Sequence, residues 1–283
     1  MPTPLIILLS FLGVLLFLFL VLLFLVKPGR RKAEMEKFKN VRYAHRGLHG
    51  GGIPENSMAA FRKAVELGYG IELDVRLSSD GELVVFHDDT LDRMTGVSGR
   101  VDSFTKEELA KITLADTEEH IPTFREVLDA VDGKVPLLVE LKEDPGKYGV
   151  TDKTVELLAN YKGAFIVESF NPLALSYLKK KAPYIIRGFL SEHFYTEEKY
   201  RKFKYFLLQN LLLNCICRPD FIAYCHKHAY MKMLRFVRWL FRVPTLAWTT
   251  ESEEEDRRTL ENGFSSVIFQ YYLPETETGT KSE

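Results

Sequence analysis

The run Tyr69-Gly70-Ile71-Glu72-Leu73-Asp74-Val75 decides how this chain folds. Residues two apart on a strand share a face, so Glu72 and Asp74 aim together while Ile71, Leu73 and Val75 aim the other way. A strand of a soluble domain buries its apolar side, which leaves both carboxylates projecting into a polar pocket. Like charges held side by side repel unless a cation sits between them, and an all-oxygen donor set suits a hard divalent cation. The pattern recurs in Val139-Glu140-Leu141-Lys142, where Glu140 and Lys142 share a face behind the apolar Pro136-Leu137-Leu138.

Working outward, residues 41–46 read as a strand that ends on His45 and Arg46. Asn56 or Ser57 caps a helix over 58–67, and Gly68 stops it. After the central strand come a turn, Ser78-Ser79-Asp80-Gly81, and a short strand over 83–86 ending at His87. Capping-box patterns open helices at Thr105 and Thr123, and the next strand covers 136–141. Beyond it the spacing predicts helices over 152–161, 172–181, 197–213, 228–241 and 253–262. Strands over 164–169, 185–190, 221–224, 245–249 and 266–269 alternate with them. Setting aside 83–86, that makes eight strands, the number that closes a (β/α)8 TIM-type barrel. The excursion over 76–122 is then an insertion after the second strand. The competing architecture is an open, doubly wound sheet.

The chain has 283 residues and a formal net charge of −1, so no domain-wide basic field exists for nucleic acid. Residues 5–26 are apolar and uncharged, enough to cross a hydrocarbon core of about 30 Å. No Lys or Arg precedes this run and Lys27-Pro28-Gly29-Arg30-Arg31-Lys32 follows it, which favours a retained single-pass anchor over a cleaved signal peptide. The positive-inside rule then places the globular part in the cytoplasm. The expected division is an anchor at 1–26, a charged linker at 27–40, a catalytic domain at 41–273 and a polar tail at 274–283. Cys215, Cys217 and Cys225 form no disulfide framework, and with His226 and His228 they match no common zinc spacing.

In a barrel of this kind, active-site groups sit at the C-terminal ends of the strands. His45, Arg46, Glu72, Asp74, Glu140, Lys142 and Trp248 all fall there, and His87 joins them if the insertion folds back. The set suits phosphodiester cleavage. A cation on Glu72, Asp74 and Glu140 would neutralise the phosphate, and Arg46 and Lys142 would bind its non-bridging oxygens. One histidine would accept a proton while the other donates one. Glu55 reads equally as a helix-start charge or a pocket residue, and Trp248 as core or ligand contact.

The ordered series His45-Arg46-Gly47, Pro54-Glu55-Asn56-Ser57, Glu72-Leu73-Asp74-Val75, Asp80-Gly81, His87-Asp88, Leu91-x-Arg93-x-Thr95, Glu140-x-Lys142, Ser169-Phe170 and Trp248-Thr249 resembles the glycerophosphodiester phosphodiesterase family. The resemblance implies a barrel with a second-strand insertion, Mg²⁺ or Ca²⁺ on Glu72, Asp74 and Glu140, and His45 with His87 as the acid–base pair. It implies hydrolysis of glycerophosphodiesters to an alcohol and glycerol 3-phosphate, through a cyclic phosphate if a neighbouring glycerol hydroxyl attacks first. Where relatives often end the last strand with Asp, this chain has Gln270. Two rival readings remain: a lysophospholipase D acting on lysophospholipids, and a non-catalytic phosphate- or lipid-binding barrel. Lys232, Arg235, Arg238 and Arg242, set among Met231, Leu234, Trp239 and Phe241, form a basic, aromatic-rich helix of the kind that docks on bilayers, with the barrel drawing substrate from the membrane. The residues set no oligomeric state.

Overall fold

Short, β-branched and aliphatic runs punctuated by helices produce a single sheet in the computed structural model, which describes residues 3–274. Its strands are β1 (Arg42–Ala44), β2 (Gly70–Leu77), β3 (Leu83–Val85), β4 (Leu137–Leu141), β5 (Phe165–Ser169), β6 (Arg187–Ser191), β7 (Phe221–Cys225), β8 (Thr245–Thr250) and β9 (Ser266–Phe269). The order is β1-β9-β8-β7-β6-β5-β4-β2-β3, and β1 also pairs with β2. Those two pairings of β1 shut a ring of eight parallel strands, which is the TIM-type barrel and excludes the open sheet. β3 stands outside the ring, antiparallel to Val75–Leu77 where β2 overshoots the rim.

The period-two reading of β2 holds. Ile71, Leu73 and Val75 pack outward under the helices with Phe61, Val127 and Leu178, all fully buried. Glu72 and Asp74 face inward. Inside the barrel the character changes along the axis. Leu138, Ile166, Phe221, Leu246 and Ile268 fill the lower part. Gly188 belongs there because a Cβ at that position would lie 2.1 Å from the Phe221 ring. The insertion has a small core of its own, including Phe86, Leu91, Leu109 and Ile121. Both expected capping boxes form, at Thr105 with Glu108 and at Thr123 with Glu126. Each cap is worth about 1 kcal/mol.

Three local expectations change. Glu72 and Asp74 sit in the middle of β2, not at its end, because the strand runs on to pair with β3. The helix expected over 197–213 is broken into short turns and Phe203–Gln209. Ser191 Oγ and Tyr224 OH donate to the carbonyls of Leu208 and Gln209 and so take over helical acceptors. The helix expected from His228 starts at Lys232, after a 3₁₀ turn over His226–His228 in which His228 Nδ1 accepts the His193 N–H.

The apolar N-terminal run forms one helix, Thr3–Val26, exposed along most of its length, with a mean hydropathy of 3.3 in an 18-residue window of Pro4–Val26. Its last turn is fastened to the barrel. Asn214 donates to the Val26 carbonyl, and Arg218 donates to those of Phe24 and Lys27. The next residues are no free tether: Met35 and Phe38 are buried and close the floor of the barrel. The expected polar tail, Pro274 apart, lies outside the described residues.

Candidate active site

Three inward carboxylates meet above the apolar floor. One oxygen each from Glu72, Asp74 and Glu140 lies within 4.8 Å of the others. Parallel register explains this: Asp74 is paired with Glu140 across β2 and β4, and Glu72 sits two residues before Asp74 on the same face. All three are buried. Lys142 Nζ stands 3.0 Å from Asp74 Oδ1 and 2.7 Å from Glu140 Oε1. The Asn56 amide donates to Asp74 Oδ2 at 2.9 Å, and the Arg46 backbone N–H donates to Glu72 Oε2 at 2.9 Å.

The charge on this cluster is unbalanced. Burial works against an ionised Asp74, yet Lys142, His87 and Arg46 hold its carboxyl well below the usual range. Glu72 is pushed well up by burial and by Asp74 and Glu140 beside it. Burial pushes Glu140 up to about 7 despite Lys142. The single ammonium among them cannot keep three carboxylates ionised. A hard divalent cation would, so the all-oxygen donor set and its charge deficit fit one.

The two histidines arrive by different routes. His45 follows β1 in a turn with Arg46 at φ 56° and Gly47 at φ 79°. Only glycine suits the latter, because a Cβ there would also lie 2.8 Å from that of Ala60. His87 is carried in by the insertion. The Phe86 N–H donates to the Asp74 carbonyl at 3.0 Å, and Arg76 donates to the His87 carbonyl through Nε and Nη2 at 3.0 and 2.7 Å.

Their partners differ. His45 Nδ1 lies 2.7 Å from Gln270 Oε1, and Gln270 Nε2 donates to Glu251 Oε1 at 3.0 Å. A carboxylate only accepts, so the amide must turn its N–H to Glu251 and its oxygen to His45. Nδ1 therefore carries the proton, and the Nε2 lone pair faces Glu72, 4.0 Å away. Burial and the Arg46 charge lower this imidazole to about 3, against the Gln270 hydrogen bond. His87 Nδ1 instead meets a carboxylate, Asp88 Oδ1, at 2.6 Å. Burial lowers His87 too, with Asp74 and Asp88 opposing.

Arg46 Nη1 pairs with Glu55 Oε1 at 2.7 Å, and its Nε lies 3.7 Å from Asp74 Oδ2. Glu55 is also clasped by Arg93, which binds Asp88 in turn, so Glu55 ties the first loop to the insertion. Trp248 stands in an aromatic wall with Phe170, ring centroids 5.7 Å apart, and its Nε1–H has no partner among the described residues. A cavity of about 210 Å³ opens here, lined by Arg76, Asp89, Glu140, Lys142, Ser169 and Phe170 among others. All the expected site residues are thus brought to one end of the barrel.

Several groups were not singled out from sequence. Arg76 lies two residues beyond Asp74, so the same periodicity pointed to it. Glu168, next to Glu140 in the β4–β5 register, is buried with Oε2 unpartnered. Burial, with Glu72 and Glu140 nearby, raises it well above the usual carboxylate range. The cysteines separate: Cys215 and Cys217 precede β7, while Cys225 ends it. Cys225 instead comes near Glu192 and His228, their ligand atoms within 4.8 Å of one another, with burial pushing its thiol up to about 11.

Residues 45–272 match the sequence model of the Glycerophosphoryl diester phosphodiesterase family. The chain belongs to this family. A glycerophosphodiester phosphodiesterase of Caldanaerobacter subterraneus subsp. tengcongensis is 32% identical over 243 residues, 81% of this chain and 93% of that protein. A glycerophosphodiester phosphodiesterase structure from Thermotoga maritima superposes with a TM-score of 0.64 at 28% identity, covering 81% of this chain and 94% of that one. An Oleispira antarctica phosphodiesterase, solved with sn-glycerol-3-phosphate, has the same fold, with a TM-score of 0.69 at 24% identity over 83% and 94%. Family membership carries the enzyme class, phosphodiester hydrolysis on glycerophosphodiesters, and the matched span runs from His45 to Tyr272, just past Gln270.

Proposed function

We propose that this chain is a membrane-anchored hydrolase, dependent on a divalent cation, that cuts glycerophosphodiesters to an alcohol and glycerol 3-phosphate. The observation carrying this reading is the convergence of Glu72, Asp74 and Glu140 between two histidines with unlike partners. Those three carboxylates would hold Mg²⁺ or Ca²⁺, which when bound supplies neutralising charge for the diester. Arg46 binds non-bridging oxygens through its planar fork, and Lys142 as a point charge. Glu55 holds Arg46 in place, and Trp248 with Phe170 would contribute an apolar wall beside the substrate.

The partners assign the proton transfers. His45, kept neutral beside an amide, takes the proton of the glycerol hydroxyl next to the phosphate, whose oxygen then bonds to phosphorus. His87, whose imidazolium is favoured by Asp88, delivers a proton to the departing alcohol oxygen as its bond to phosphorus breaks. In the return step His87 takes a proton from water. His45 gives one back to the glycerol oxygen, and the cyclic phosphate opens to glycerol 3-phosphate. The product seen in the Oleispira relative supports this outcome.

This assignment predicts the effect of Gln270→Asp. A carboxylate beside Nδ1 favours imidazolium, so the His45 pKa should rise and the base should be lost at a higher pH. Followed by NMR of its ring, His45 should titrate about one pH unit or more higher in the variant. An unmoved titration would show that residue 270 does not set the charge of His45.

The same reading divides the chain into an anchor at 1–26, a connector at 27–40 and a catalytic domain at 41–273. The seven Lys and Arg residues from Lys27 to Arg42 favour a cytoplasmic side for that domain by the positive-inside rule. Lysophospholipid cleavage is the second reading, favoured by the anchor helix but opposed by the site's position at the end of the barrel away from it. The full chain, given glycerophosphocholine or lysophosphatidylcholine under one set of conditions, should prefer the former by about tenfold or more in kcat/KM, a difference of about 1.4 kcal/mol. The opposite order would establish the lipid substrate.

A further inference from the structure

The largest cavity described, about 540 Å³, is nowhere near the carboxylates. It opens beside the segments that lead into β1, β8 and β9, at the floor of the barrel. Lys32, Lys39, Arg235, Arg238 and Arg242 line it, with Trp239 at its edge. Glu36 is the one carboxylate in its lining. None of the five cations forms an ion pair among the described residues. Arg238 is held in place by the Asn262 carbonyl and the Phe264 ring, its Cζ 4.6 Å from the ring centroid. Lys32 donates to the carbonyl of Phe241. Trp239 is 74% exposed, although the same helix buries Leu234 and Val237 completely.

The position of this groove identifies its occupant. Lys32 follows the apolar helix by six residues, a stretch that spans at most about 20 Å even when extended. Gly29 is tied to the Pro219 carbonyl, and Arg31 donates to the carbonyls of Pro183 and Tyr184, residues that lead into β7 and β6. The anchor therefore leaves the barrel from the same end as the groove. Guanidinium groups recognise phosphate as planar forks, and an exposed indole suits the boundary between headgroups and acyl chains.

We propose that this groove binds the phosphate of an anionic lipid in the leaflet the anchor enters, with Trp239 at the headgroup boundary. This rests on the anchor reading above. It differs from the expectation that the basic helix docks the barrel so that it draws substrate from the membrane. Lys232 lies at the other end of that helix and does not line the groove, and the carboxylates lie at the opposite end of the barrel. Docking at the floor stands the barrel upright, with its catalytic mouth toward water.

The test uses the full chain in lipid nanodiscs, with tryptophan quenching by brominated phosphatidylglycerol compared with brominated phosphatidylcholine at equal mole fraction. Quenching should favour phosphatidylglycerol, with about fivefold in affinity for each basic residue that reaches the phosphates. Arg235→Gln/Arg238→Gln/Arg242→Gln should cut the preference by about a hundredfold, and Arg235→Gln/Arg242→Gln, which leaves the Arg238–Phe264 packing intact, by about twentyfold. Lys232→Gln should retain it. Equal quenching by the two lipids, or a preference undiminished in both multiple variants, would overturn the proposal. So would loss of the preference to millimolar inorganic phosphate at constant ionic strength, which would assign the groove to a free anion. A chain that carbonate strips from the discs would instead refute the anchor, and this docking with it.

Discussion

His87→Ala should lower kcat on glycerophosphocholine by about two to four orders of magnitude, and most of that loss should disappear on a glycerophosphodiester that releases p-nitrophenol. A nitrophenolate departs without a proton, so an enzyme lacking only its acid recovers. His45→Ala should lose a similar factor on both substrates, because the attacking hydroxyl still needs a base. The carboxylate of Asp88 beside one imidazole and the amide of Gln270 beside the other are the physical grounds for the split. Nitrophenol release under single-turnover conditions reads the first step alone. If His45→Ala were the variant rescued, the two roles would be reversed. If His87→Ala were as fast as wild type on glycerophosphocholine, the insertion would take no part in catalysis.

Asp74→Asn and Glu140→Gln should each cost about a thousandfold or more in kcat/KM, several kcal/mol of stabilisation of the reacting phosphate. Activity alone would not separate lost metal binding from lost shape, so the second readout is thermal. A cation that binds only the folded chain raises Tm, and that rise should be present in wild type and absent in Asp74→Asn. The affinity should also depend on pH. Burial holds Glu140 at about 7 and Glu72 well above the normal range, so both carry protons in mild acid. A cation must displace those protons, so its affinity should strengthen as pH rises from about 6 to 8. A pH-independent affinity, or a full Tm rise in Asp74→Asn, would remove these carboxylates from the metal site.

How much of this was legible beforehand follows the range of the interactions. Glu72 with Asp74, and Glu140 with Lys142, were readable because strand periodicity is local and fixes a face from two residues. The barrel followed from counting strand–helix units. What needed the structure depends on contacts across many residues. His87 reaches the site only because its neighbour Phe86 bonds to Asp74 and Arg76 grips its carbonyl. Arg76 was readable in principle, being on the Asp74 face, yet a lone arginine two residues on carries no chemistry until its target is known. Gln270 stood out as a departure, but its role as the partner of His45 depends on Glu251, a residue on another loop. The stretch over 197–213 looked helical by composition, and tertiary donors from β6 and β7 overrode that propensity. The run after the apolar helix looked like a linker because its charges hide that Met35 and Phe38 are core residues.

In the proposed mechanism one site, built from three carboxylates and two histidines, breaks the bond between phosphorus and the alcohol distal to glycerol. The most direct measurement is a phosphorus NMR time course of the full chain with glycerophosphocholine, run with Mg²⁺ or Ca²⁺, after chelation, and after the cation is restored. Glycerol 3-phosphate should be the final phosphorus product, preceded by a transient cyclic glycerophosphate. Turnover should stop on chelation and resume on restoration. Phosphocholine as the product, or undiminished turnover after exhaustive chelation, would contradict it.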